Sequence, residues 1–403
     1  MRILMLAPQP FFQPRGTPFS VLHRLRALSA LGHEIDLVTY HLGEDVRIER
    51  VNICRIPRVP FVRSIAIGPS KSKIVLDVVL FFKALRLLRS QKYDVIHSHE
   101  EAGFFATFLA RRFGLRHLYD MHSSLPQQLS NFKYSSSRFL RSLFERLEAN
   151  TITRADAVIT ICPELHSYVG ERFPDTYNIL IENVGDNSLI FKQKGQVCDA
   201  VQAAKEQGQT LVLYTGTFEA YQGIGLLLDA AQRVAKEVRG LRFVLVGGKP
   251  EQVEHYRAEA RRLGIEDRVT FTGSVPPEDV PAYIAAADML VSPRVSGNNT
   301  PLKIYSYLRS GKPIVATRHI THTQVLNDEV AVLTGDDGAS FAEGILRVIR
   351  EPELRARICR NAQKLAQEKY SYDAFLSKTK AVFDYLAHAA PAEEEKECVA
   401  SVA

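Results

Sequence analysis

Short apolar runs recur along this chain at intervals of about one helix length, in two separate series. RILMLA, EIDLVTY, YDVIHSH, RHLYDMHSS and DAVITI form the first; TLVLYTG, LRFVLVGG, RVTFTG, DMLVSP and KPIVAT form the second. Each run is too short for a buried helix and is bounded by turn residues, so it reads as a strand. Between the runs lie segments of helical periodicity. The first carries Val21, Leu22, Leu25, Leu28 and Leu31 on one face and stops at Gly32. A second, Ile74–Arg89, is read with its apolar residues inward and Lys83, Arg86 and Arg89 outward. Gly103–Phe113, a basic stretch Ser137–Arg154, Leu226–Val238 and Val253–Leu263 follow. Strand–helix alternation needs crossover connections, hence a parallel sheet with helices on both faces. Two series predict two doubly wound α/β domains, with ligands at the carboxyl ends of the strands. The expected boundaries are 1–190, a polar linker 191–209, and 210–371. The closing helix 372–387 packs back on the first domain, and 388–403 is a disordered tail.

Composition narrows the class. The chain has 403 residues, 46% hydrophobic and 24% charged, with a formal charge of +6. That balance suits anionic ligands or anionic lipid, and without basic stripes interleaved with stacking aromatics it excludes nucleic acid. Five scattered cysteines with no CxxC spacing point to a reducing, cytoplasmic setting. MRILMLAP is a first strand and not a signal peptide, and the apolar run around Ile74–Phe82 is too short to span a bilayer. The amphipathic basic region from Lys133 to Arg154 has two readings: a solvated face over core, or a peripheral contact with the anionic inner face of a membrane.

The segment Asn298–Ala316, NNTPLKIYSYLRSGKPIVA, carries the chemistry. Thr300 is read as an N-cap with Pro301 in the first helical turn, Gly311 as the stop, and IVA as a buried strand. The first turn offers unpaired amides and a partial positive charge to phosphate, and Lys303 lies in it.

The order of RILMLAP with Gly16, LSALGHEIDLVT, YDVIHSH, YDMHSS, IENVGD, LYTGTF, FVLVGG, RVTFTGSV, ADMLVSP and SGKPIVAT resembles a GT-B fold glycosyltransferase, most closely the retaining family 4. The resemblance covers Met1 to about Tyr385 and implies two Rossmann-like domains facing a cleft. It implies transfer of a sugar from a nucleoside-diphosphate donor to a glycan, lipid-linked or small-molecule acceptor, with retention and without metal or other cofactor. By that resemblance His122 and Asn298 hold the donor sugar and are the catalytic candidates. Gly16 and Gly216 let backbone approach the donor, Val275 lies beside the base, and Thr300, Leu302 and Ser306 contribute phosphate and ribose contacts. The family's two glutamates fall here on Asn298 and Ser306, and its diphosphate-gripping arginine and lysine fall on Thr217 and Gln222. Losing two charge-assisted contacts of roughly 1.5–3 kcal/mol each requires replacement cations. Arg294 and Lys303 are the candidates.

Blander readings stand beside these. Gly16 could serve a turn, His122 could be a satisfied buried histidine, and Lys303 could be a solvated side chain. His97 and His99 alternate on one strand and, with His122, suggest zinc, but lack the usual ligand pattern. A non-catalytic relative keeping the fold as a scaffold, and a nucleotide-sugar epimerase, are the rival functions.

Overall fold

The computed structural model describes residues 1–13, 16–62, 65, 71–124, 126, 138–184 and 195–388; side chains of residues 71 and 138–140 lie outside that description. Two compact units emerge. One comprises Met1–Asn183 with the chain from Phe375 onward, the other Val184–Ala374.

The first unit holds strands β1 (Arg2–Ala7), β2 (Glu34–Thr39), β3 (Val51–Arg55), β4 (Val95–His99), β5 (Arg116–Met121), β6 (Ala157–Thr160) and β7 (Asn178–Leu180). All pair in parallel in the order β3-β2-β1-β4-β5-β6-β7. Its helices are α1 (Gly16–Ala30), α2 (Lys71–Ser90), α3 (Ala102–Phe113), α4 (Arg138–Arg154) and α5 (Pro163–Arg172). In the second unit α6 (Asp199–Glu206) leads into β8 (Thr210–Thr215), α7 (Ile224–Glu237), β9 (Leu241–Val246), α8 (Pro250–Arg262) and β10 (Val269–Gly273). There follow α9 (Val280–Ala286), β11 (Met289–Ser292), α10 (Lys303–Arg309), β12 (Ile314–Thr317), α11 (Ile320–Thr323), β13 (Val332–Thr334), α12 (Gly338–Arg350) and α13 (Pro352–Lys369). This sheet is also parallel, ordered β10-β9-β8-β11-β12-β13. The order reverses beside β1 and β8, the switch points at which doubly wound sheets take ligands.

Each unit buries its own core. Strand residues such as Leu4, Leu6 and Ile96 meet Leu76, Leu80 and Leu109 in the first, and Val212, Tyr214, Phe243 and Val291 meet Leu227, Leu228 and Ile345 in the second. The last helix, α14 (Tyr372–His388), belongs to the first unit from Phe375 onward: Thr379, Val382, Phe383 and Leu386 are buried there.

Four readings of the sequence need correction. β3, β7 and β13 are edge or near-edge strands of three to five residues that the apolar pattern did not reveal, so His122 follows the fifth strand and not the fourth. The segment 191–209, taken as a linker for its weak patterning, contains α6, whose Val201 and Ala204 are buried in the second core. α2 does not turn all its apolar residues inward. Leu76, Leu80, Ala84 and Leu88 do so, whereas Ile74, Val75, Val78 and Phe82 face out. Finally, α10 starts at Lys303 with Leu302 at its N-cap, later than Thr300 and Pro301 suggest, and no side chain caps it. The tail 389–403, Lys133, and Gly185 and Asp186 of the NVGD stretch lie outside the described residues.

Candidate active site

In the second unit the carboxyl ends of β8, β9, β10 and β11 are drawn together by glycines. At Gly223, φ is +73° and a Cβ would strike the carbonyl oxygen of Pro293, so the loop after β8 lies directly on the loop after β11. Gly247 likewise admits the carbonyl of Gly216 and donates its N–H to Gly273 O at 2.8 Å. Val295 N donates to Tyr221 O at 3.0 Å and fixes the same contact. Gly216, Thr217, Gln222 and Arg294 are thereby gathered on connected loops, and Lys303 of α10 reaches Gly216. Val275 is half-buried against the unit's core, two residues past Gly273.

Lys303 is the centre of this arrangement. Its Nζ lies 3.8 Å from the Tyr214 ring centroid and 3.4 Å from where a Cβ on Gly216 would stand. The nitrogen is buried and has no hydrogen-bond partner among the described residues. Burial, and then the charge of Arg294, hold its pKa well below the ordinary lysine range. Arg294 places its guanidinium 5.0 Å from the Tyr221 ring centroid and donates from Nε to Ser296 O at 2.8 Å. Among the described residues no carboxylate pairs with either cation. His322, a titratable group nearby, is kept neutral by burial, at about 3, and is tied to Ser292 Oγ at 2.8 Å and Thr317 O at 2.9 Å. Gln222 Oε1 and Thr300 Oγ1 are two further buried atoms without a partner. Thr300 thus does not cap α10.

The family's basic positions are neutral here: Thr217 is exposed and Gln222 buried. The nearby cation is Lys303, which reaches Gly216 from α10. α10, seven residues long and beginning after Leu302, contributes little dipole of its own. Asn298 is anchored through its carbonyl, which accepts from Gln324 Nε2 at 2.6 Å, and Ser306 and Leu302 are partly exposed on α10 and its N-cap.

In the first unit His122 sits directly after β5 and is 4% exposed. Its Nε2 is 2.9 Å from His99 Nδ1 and 3.4 Å from Asp120 Oδ1. Asp120 also accepts from Arg24 Nε at 3.1 Å and from His97 Nε2 at 3.3 Å, and Arg24 donates on to Thr379 Oγ1 of α14 at 3.0 Å. Burial alone would raise the Asp120 pKa; Arg24, His122 and the His97 hydrogen bond hold it well below the usual carboxylate range. Burial keeps His97 and His99 neutral. The resulting unit is one buried Arg24–Asp120 ion pair with a fan of histidines that orients His122. Ligand-type atoms of His97, His99 and Asp120 lie within 4.8 Å of one another. The guanidinium on Asp120 already supplies the counter-charge, and a divalent ion there would face it. Gly16 is the first residue of α1, at φ +28°. Sequence reading missed Arg24 and Asp120, because a lone arginine in an amphipathic helix and an aspartate in a strand carry no local signal of their pairing.

The fold and this loop cluster define a class of sugar-transferring enzyme. Residues 15–182 match the model for a glycosyl transferase 4-like domain, and residues 209–351 that for glycosyl transferases group 1. The chain is 24% identical over 302 residues to alpha-D-kanosaminyltransferase of Streptomyces kanamyceticus, covering 69% of this chain and 74% of that protein. It resembles the sucrose-phosphate synthase structure from Thermosynechococcus elongatus with a TM-score of 0.74 at 20% identity, over 96% of this chain and 100% of that one. Against Anabaena HepE in complex with UDP-glucose the TM-score is 0.69 at 17% identity, over 95% and 99% of the two chains. The chain belongs to the GT-B glycosyltransferases resembling family 4.

Proposed function

We propose that this glycosyltransferase takes its sugar from a nucleoside diphosphate and transfers it with retention to a carbohydrate, lipid-linked or small-molecule acceptor, using no metal. The observation that carries the donor is Lys303: a buried amine with no hydrogen-bond partner and no carboxylate on it among the described residues, close to Arg294 and to the glycine of the loop after β8. A diphosphate supplies the missing charge and accepts from the Thr300 hydroxyl, while a ribose or sugar hydroxyl can donate to Gln222 Oε1. As the bond between the sugar and the diphosphate breaks, its electron pair passes to the departing phosphate oxygen. Lys303 and Arg294 stabilise that charge in a place where water does not compete. The sugar passes through an oxocarbenium-like state and is attacked by the acceptor on the same face. His122, oriented by the Asp120 network, and Asn298 are the groups assigned to the sugar.

Calorimetric titration with UDP-glucose tests the donor assignment, the choice of probe resting on the HepE complex. Lys303→Met and Arg294→Met should each weaken binding by about 1.5–3 kcal/mol, the value of a charge-assisted contact. Unchanged affinity in both variants refutes it.

A further inference from the structure

Ile74, Val75, Val78 and Phe82 occupy one face of α2, at i, i+1, i+4 and i+8, and are 66%, 52%, 52% and 61% exposed. The inward face is complete without them. One exposed apolar residue is ordinary; a stripe of four on a single helix marks a surface that meets something. The stripe continues onto the neighbouring helix. Phe108 of α3 is 60% exposed, and α3 meets α2 through Phe81 and Phe105, whose ring centroids are 5.7 Å apart. Among the described residues, every large apolar side chain more than half exposed belongs to this unit.

The exposed charges on these two helices have one sign, and Lys73, beside Ile74, is paired with Glu101 at 3.0 Å. Arg86 and Arg89 follow Phe82 by four and seven positions and are exposed, as are Arg111 and Arg112 at the end of α3. α3 contains no acidic residue, and the single one in α2, Asp77, is engaged by the Tyr40 hydroxyl at 2.5 Å. A stripe of aliphatic and aromatic side chains whose exposed charged neighbours are arginines fits an anionic lipid surface. A second copy of the chain fits poorly, because a two-fold contact would set arginine against arginine. The basic stretch before Arg154 is a weaker candidate: in α4, Arg141 is paired with Glu145 at 2.9 Å and Phe144 packs on Phe104 at 6.0 Å between centroids.

We propose that the outer face of α2 and α3 rests on an anionic bilayer, with Ile74, Val78 and Phe82 entering the acyl boundary and the arginines reaching lipid phosphate. No described helix is long and apolar enough to cross a membrane, so the contact is in the plane of the surface. It does not depend on the donor assignment.

The chain contains no tryptophan, so Phe82→Trp places a single indole reporter on the stripe. With vesicles of phosphatidylglycerol and phosphatidylcholine in equal parts, that variant should co-sediment and its emission should shift to the blue. Phosphatidylcholine vesicles should bind it more weakly, and added salt should weaken the anionic binding. The double variant Ile74→Asp, Val78→Asp should partition at least about tenfold less while keeping the parent's circular dichroism spectrum and melting profile, which shows that it is folded. Absence of co-sedimentation overturns the proposal. So does unchanged partition of the double variant, or a dimer in solution whose indole is already shielded before vesicles are added.

Discussion

Lys303 is costly to the free protein and useful to the bound one. Its folded pKa is depressed, so the unfolded chain binds more protons than the folded chain between that lowered value and the ordinary lysine range. Apo stability should therefore rise with pH across that window, and Lys303→Met should remove the slope and stabilise the apo protein by about 1–3 kcal/mol. A diphosphate raises the lysine pKa again. Binding of UDP-glucose should take up protons, and its affinity should fall as pH rises through the apo value. Titration calorimetry in buffers of different ionisation enthalpy reads this directly; identical heats in all buffers refute it. In the other unit, His99 acts on His122 through a single 2.9 Å contact. His99→Asn keeps a polar atom near the Nδ1 position and should retain most of kcat, whereas His99→Leu should lower it about a hundredfold through misplacement, with little change in KM. Equal loss in both variants would reduce His99 to a packing role. The candidate residues of the second unit were legible in the sequence because they fall on strand ends in a fixed order. How Lys303 reaches its place was not, because only the folded backbone brings it under Gly216.

Elements show where periodicity succeeds and where it fails. The central strands of both sheets are continuous apolar runs, since both of their faces are covered, and such runs are read easily. Val51–Arg55, Asn178–Leu180 and Val332–Thr334 are short and partly exposed, with too few apolar residues to stand out from loops. α2 fails in the opposite way: it is apolar on both faces, so a pattern alone cannot say which face is buried. The loop after β8 makes its own demand. Gly223→Ala would force a Cβ into the Pro293 carbonyl at a positive φ, and the two loops must separate. We expect a loss of about 1–3 kcal/mol in stability, with a weakened response to UDP-glucose, read together in a thermal-shift series. Full retention of both would mean that these loops are not rigidly joined.

At the scale of the whole molecule, the residues proposed to hold the nucleoside diphosphate, Gly216 to Ser306, lie in one unit with its own core, whereas Gly16 and His122, proposed to meet the donor's sugar end, belong to the other. UDP, which carries the diphosphate without the sugar, should therefore raise a single calorimetric transition. If the units unfold separately, the other transition should stay in place, because ligand stabilises only what it binds. Equal displacement of two resolved transitions would contradict the assignment.

The same division has a consequence for biosynthesis. The first unit is interrupted: α14, which returns Thr379 to Arg24, leaves the ribosome only after the entire second unit has been made. Until then one end of the Arg24 side chain lacks its last anchor, and α1 and the sheet carry an uncovered flank where Phe375, Val382 and Phe383 will dock. A nascent chain of this protein thus matures out of order, with the half begun first being the half finished last.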